Sequence, residues 1–273
     1  MARRSARDKA KQLRQKPQPR QRAAAVQPWG WVDVIWLAAA LLIARILMVL
    51  TLGNQFTALM PDEGVVGVRI VMLIVFYLMI LAVLAYRAHC RNLSFAEAYR
   101  LKKPVSESAP QSTPEGADNQ EKHWPVWKVV LITITAFFIL RSIAIVYTYV
   151  TGEFGWVTPP ADSLTDLFGP SLLGLAAAII TIVILAPFIE ELVFRVIMFD
   201  TFARKISISV AVILQGAIFS LYHFSFWAAI PNFLLALACV YLIQRCKTAI
   251  PAIVLHVLYN ATVVAAAFYL AMM

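Results

Sequence analysis

Apolar runs of about 20 residues, the length a helix needs to cross a hydrocarbon core, dominate this chain. They fall near 31–52, 65–86, 126–150, a stretch starting near Ser171, then 206–226, 231–244 and 250–270. Of its 273 residues 61% are hydrophobic and 14% charged, against about half and about a quarter in a soluble domain. The pattern predicts an all-α, polytopic integral membrane bundle of about seven transmembrane helices. The first run is too long for a signal-peptide core and shows no small-residue cleavage site, so it reads as an uncleaved anchor.

The formal net charge of +9 is concentrated at one end. Residues 1–22 hold nine Arg/Lys against the single acid Asp8. With Pro17, Pro19 and no apolar periodicity, residues 1–30 read as a basic, disordered cytoplasmic tail in contact with anionic lipid. No aromatic or folded motif accompanies the charge, so no nucleic-acid partner is expected. Arg and Lys recur at 87–128, at Arg204-Lys205 and at Arg245/Lys247, while the alternate loops are acidic or uncharged. Seven spans with a cytoplasmic N-terminus satisfy the positive-inside rule at every loop and leave the C-terminus on the far side. Cys90, Cys239 and Cys246 show neither metal spacing nor a disulfide framework.

Three regions follow the tail: a helix pair at 31–86, a cytoplasmic loop at 87–125 and a transmembrane core at 126–273. The loop is Ser/Pro/Gln/Glu-rich from Ser106 to Glu121 and reads as flexible. Ser94-Phe95-Ala96-Glu97 has the form of a capping box and predicts a short interfacial helix over 94–101.

Within the core, Ala186-Pro187-Phe188-Ile189-Glu190-Glu191-Leu192-Val193-Phe194-Arg195 places two carboxylates and an arginine inside an apolar run. Ionisable groups at membrane depth are costly unless paired or facing a wet cavity, so the default reading is functional. Glu191 and Arg195 have the helical ion-pair spacing, acid first. Glu190 points about 100° away around the helix. Pro187 predicts a bend just before the carboxylates. His223 ends the run Phe219-Ser220-Leu221-Tyr222-His223, and His256 and Asn260 share one helical face. His89 and His123 fall in the loop and read as solvated. Glu190, Glu191, Arg195, His223, His256 and Asn260 are nearly all the strongly polar groups of the last four spans, and lipid forces such groups together.

One cavity holding them could hydrolyse an amide bond. A carboxylate and a histidine on one water make a general base, and a second histidine with an amide supplies oxyanion donors. Glu190, His223 and His256 are also a Zn2+ ligand set with an open fourth position. Composition does not choose between the two. Depth strains the picture. At 1.5 Å per residue Glu190 lies roughly 20 Å and His223 roughly 27 Å from the Arg204-Lys205 turn, yet His256 lies only about 10 Å from Ala249. Helix tilt, the Pro187 bend or an interfacial stretch at 205–209 would reconcile them.

Glu190-Glu191-x-x-Phe194-Arg195, Phe219-x-x-x-His223 and His256-x-x-x-Asn260 resemble the three motifs of the CAAX-protease and bacteriocin-processing (CPBP, or Abi) intramembrane proteases. The flanking Ala186-Pro187 and Ile250-Pro251-Ala252 fit as well. The resemblance covers 172–264; Val196 stands where the family often has Gly. It implies that Glu190 activates water with His223, that His256 and Asn260 serve the oxyanion or the water, and that Glu191 and Arg195 organise the site. Members are described both as metalloproteases and as metal-free glutamate proteases. The implied activity is intramembrane endopeptidase, acting on a peptide or membrane-associated protein. The compact chain suggests the multi-pass inner membrane of a bacterium. The rival is a non-catalytic immunity or scaffold protein that keeps the cluster for folding. A proton-relaying transporter lacks support from any inverted repeat.

Overall fold

The computed structural model describes residues 29–52, 62–102, 124–155 and 163–272. The basic tail up to residue 28 and the Ser/Pro-rich stretch 103–123, with His123, lie outside the described residues. Among the described residues nine helices follow in order: α1 (Trp31–Leu52), α2 (Asp62–His89), α3 (Phe95–Ala98), α4 (Val126–Glu153), α5 (Ser163–Phe168), α6 (Leu172–Ala203), α7 (Ile208–Tyr222), α8 (Ala229–Cys246) and α9 (Ile250–Met272). No strand occurs among these residues.

Of these helices, five are long and apolar enough to cross a membrane: α2, α4, α6, α8 and α9. Helix α1 is a sixth apolar helix. The run at 206–226, expected as one full span, is shorter. Helix α7 has 15 residues, about 22 Å at 1.5 Å per residue, less than the ~30 Å hydrocarbon core. It stops at Tyr222; a turn through Phe226–Ala228 then leads into α8. His223 therefore caps a helix end and does not lie mid-helix. Ser225 and the downstream Pro231 were the available signals.

Helix α6 is the axis of the bundle. Ser171 caps it by accepting from the Gly174 N–H at 3.1 Å. A Cβ on Gly174 would meet the Gly169 and Phe168 carbonyl oxygens at 2.2 and 2.3 Å, so no larger residue fits that entry. Every residue from Glu191 to Phe199 is buried, as expected of a helix packed on all sides. Two parts of α6 are π-helical, Ile179–Leu185 and Glu191–Phe199, separated by the α turn Ala186–Glu190. The bend expected at Pro187 is thus a change of hydrogen-bond register, π to α and back. A turn closed i→i+5 holds more residues per unit length than an α turn. That shortens the climb from Asp200 to Glu190 and removes part of the depth mismatch.

The rest comes from the segment after α2. Ser94 and Glu97 form the expected capping box and start α3. Beyond it Arg100, at φ +54°, turns its carbonyl onto the start of α9. That oxygen accepts from the Ala249 N–H at 2.8 Å and the Thr248 hydroxyl at 2.9 Å. The Arg100 side chain pairs with Asp200 of α6 at 2.6 Å. Phe95 stacks on Phe188, two residues before Glu190, at 6.3 Å. The α8–α9 turn is therefore tied at the level of Asp200, which brings His256 up to Glu190.

The same end of the bundle carries an ion cluster. Buried Asp33 of α1 receives Arg87 Nε at 2.8 Å and Nη2, Arg91 Nη2 at 2.9 Å and the Gly30 N–H at 3.0 Å. Trp29 stacks on Tyr99 at 4.9 Å, donates its indole N–H to the Ala98 carbonyl, and its own carbonyl accepts from Arg204. Burial pushes the Tyr99 hydroxyl pKa up; that hydroxyl donates to the Leu84 carbonyl. Arg87, Arg91, Arg100 and Arg204 thus gather at one end of the bundle.

Candidate active site

The two adjacent glutamates divide their partners. Glu190 Oε2 lies 3.9 Å from His223 Nε2 and 3.7 Å from His256 Nε2. Glu191 Oε1 accepts from His256 Nδ1 at 2.8 Å. His256 is therefore held between both carboxylates, with Nδ1 on one and Nε2 facing the other. A carboxylate on Nδ1 fixes the ring and its tautomer. His223 is fixed in the same way. Its Nδ1 lies 2.8 Å from the Phe219 carbonyl oxygen, which can only accept, so Nδ1 carries the proton. Both imidazoles consequently turn Nε2 towards Glu190.

Asn260, one turn beyond His256, donates Nδ2–H to the Ile182 carbonyl of the first π stretch at 3.0 Å. One of its two amide protons is thereby committed. The Arg195 guanidinium is fully buried and lies 3.9 Å from the centroid of Phe219. Its Nε is 3.3 Å from Glu191 Oε2, but the geometry is not that of a hydrogen bond, and all three nitrogens lack a protein acceptor among the described residues. The contact is an ion pair supplemented by cation–π attraction.

Five of the six expected residues thus meet in one cluster, and Asn260 joins it through the α6 backbone. Two contributors were not anticipated as site residues. Phe219 packs edge-on to His223 at 4.7 Å and His256 at 5.7 Å, and carries Arg195 on its face. Its appearance four residues before His223 was the only sequence signal. The Cys239 thiol of α8 donates to the Ala252 carbonyl at 3.7 Å and lies against Glu191. Nothing in the spacing of the cysteines pointed to it.

Exposure gives the cluster a direction. The Glu190 and His256 side chains are 6% and 2% exposed, the His223 side chain 22%. The open side is therefore the α7–α8 tip. There Phe224, exposed and at φ +48°, occupies a backbone region that aromatic residues rarely adopt.

A carboxylate and two Nε2 atoms are donors zinc accepts. The spacing is not that of a metal cage, however. Among the described residues no group of three His, Cys, Asp or Glu is placed to hold a metal ion. The chemistry of the site is accordingly derived from its side chains alone.

Residues 172–262 match the family model of type II CAAX prenyl endopeptidases, Rce1-like. The segment is similar to that family. It carries all six expected residues, and its bounds agree with the stretch over which the motifs were recognised. The helices α1 to α5 lie outside it. No curated protein and no solved structure matches the chain. A multi-pass membrane protein with an Rce1-like segment in its second half is what the apolar helices and the match together establish.

Proposed function

We propose that the chain is an intramembrane endopeptidase whose Glu190 acts as the general base on water. The observation that carries this reading is the convergence of two fixed imidazoles on one carboxylate oxygen, at 3.7 and 3.9 Å. Gaps of this size are too long for direct hydrogen bonds and suit a small molecule held against all three groups.

In this reading a water enters from the His223 side and hydrogen-bonds Glu190. Glu190 takes its proton as the oxygen attacks the scissile carbonyl. His223, with Nδ1–H anchored on Phe219, steers the same water through Nε2 and relays the proton to the departing amine. The second amide proton of Asn260, together with a protonated His256 Nε2, faces the oxyanion. Glu191 supports that imidazolium, and Arg195 with Phe219 holds Glu191. The substrate is a peptide or membrane-associated protein, and the matched family adds prenylated C-terminal peptides as the first class to try. The N-terminus lies in the cytoplasm, a reading supported by the charge alternation, and the protein in a bacterial inner membrane.

The test is cleavage of a quenched peptide panel, including prenylated peptides, by purified protein and by Glu190→Gln. Activity that disappears in a variant with unchanged melting temperature supports the reading. Activity that survives Glu190→Gln sinks it. Cleavage lost on chelation and restored by zinc would overturn the metal-free route.

A further inference from the structure

The first π stretch of α6 contains a gap in its backbone ladder. The Ala186 N–H donates to the Thr181 carbonyl, five residues back. The next acceptor in that ladder is the Ile182 carbonyl, and its donor would be residue 187. Residue 187 is proline and has no N–H. An acceptor left open inside an apolar bundle is unfavourable, because no solvent or lipid group replaces the missing donor. The Ile182 oxygen is nonetheless satisfied: Asn260 Nδ2 donates to it at 3.0 Å from a helix 78 residues away in sequence.

We propose that Asn260 is a positioning residue which supplies the hydrogen bond that Pro187 cannot make, and so holds the register that aims Glu190 at the two imidazoles. Pro187 lies within the single α turn between the two π stretches, three residues before Glu190. A helix that changes from i→i+5 to i→i+4 bonding changes the direction of every side chain beyond the junction. The proline blocks the ladder at that junction, and the Asn260 amide pins the carbonyl the proline leaves behind. Proline and asparagine thus form one unit. The same bond joins α6 to α9, so it sets Glu190 and His256, one turn before Asn260, in mutual register.

A carboxamide is suited to this task. It keeps a donor in lipid without a charge, and its second N–H remains available to the substrate. The proposal deepens the protease reading and rests on it only for its kinetic consequences.

A double-mutant cycle on the full chain in detergent tests it. The four proteins are wild type, Pro187→Ala, Asn260→Ala and the double variant, read by peptide cleavage and by melting temperature. In Pro187→Ala the chain supplies a backbone donor for Ile182 in either register: the restored N–H of position 187 in the π ladder or the Ala186 N–H in the α ladder. Asn260→Ala is expected to lower kcat with little change in KM when Pro187 is present, and to cost about tenfold less in the Pro187→Ala background. Whatever the second N–H contributes to the oxyanion is common to both backgrounds and cancels. Asn260→Leu keeps roughly the volume and removes the donor in every protonation state, so it should match Asn260→Ala and not wild type.

Equal losses in both backgrounds, or an Asn260→Leu variant that behaves as wild type, overturn the proposal. Should no peptide be cleaved, the protease reading fails and the melting temperatures still decide. Destabilisation by Asn260→Ala that disappears in the Pro187→Ala background supports the unit, and destabilisation that persists overturns it.

Discussion

Asp33 and Glu191 are both carboxylates with almost no exposed surface, and both face arginine. Asp33 accepts from two guanidinium groups and a backbone amide, and both its oxygens are bonded. Its arginines keep 37% and 27% of their side-chain surface, so they reach solvent on the other side. Glu191 has one oxygen on His256 and one, Oε2, without a hydrogen bond among the described residues. Its arginine is fully enclosed, sits off hydrogen-bond geometry and spends its face on Phe219. Structural ion clusters are satisfied because an open buried polar atom is costly. The Glu191 cluster is not satisfied in that way by the protein alone. This difference argues against the non-catalytic scaffold reading, since a polar cluster retained for folding should resemble Asp33.

The sharpest way to break this comparison is to neutralise one acid in each place. Glu190→Gln should lower cleavage about 100- to 10,000-fold, the range for losing a general base, and leave the melting temperature nearly unchanged. Asp33→Asn should do the opposite. Loss of charge-assisted bonds from two partly exposed arginines should cost about 2 kcal/mol in stability, with kcat per folded molecule unchanged. Cleavage assays and melting curves on both variants decide between the two roles. If Glu190→Gln behaves as Asp33→Asn does, both clusters are structural.

A smaller effect is expected at Arg100, which lies outside the Rce1-like segment yet holds its α9 in place. The contact is mainly backbone: the carbonyl bonds Thr248 and Ala249, and φ is +54°. Arg100→Gly relieves the left-handed backbone, keeps the carbonyl and loses only an ion pair, so stability should change by less than about 1 kcal/mol. Arg100→Pro cannot adopt that φ and should cost about 2 kcal/mol or more, with a severalfold fall in kcat as His256 loses its level. Equal behaviour of the two variants in melting and cleavage assays would show that the side chain, not the carbonyl, fixes α9.

These cases also show what could be read from the chain. Glu190, Glu191, Arg195, His223 and His256 were legible because lipid leaves such groups no partners but one another. The capping box at Ser94 was legible because it is local. The Asp33 cluster was not, since Arg87 in the last turn of α2 and Arg91 just beyond it fell in what looked like a soluble loop. The π stretches carry no side-chain signature of their own, so the path that brings His256 level with Glu190 was hidden. Only Pro187 hinted at it, and its reading as a bend missed the carbonyl it exposes. The end of α7 at Tyr222 was obscured by the apolar residues that continue through Phe226.

The smallest effect belongs to the capping box itself, and pH separates it from the rest. The Ser94 hydroxyl and backbone N–H both bond the Glu97 carboxylate, at 2.6 and 3.1 Å, and these bonds hold its pKa below the ordinary glutamate range. A depressed carboxylate pKa means the folded state prefers the charged form. The contribution is therefore fully present above the unfolded-state pKa and is lost as pH falls through the folded one. Ser94→Ala removes the cap, so it should lower the melting temperature slightly at neutral pH. The gap to wild type should shrink as pH is brought below the ordinary glutamate range and far enough to protonate Glu97 in both proteins. Asp33→Asn provides the control, because its deficit arises at a different carboxylate. A Ser94→Ala deficit that is the same at neutral and at acid pH would assign the start of α3 to the hydroxyl alone and leave Glu97 a bystander.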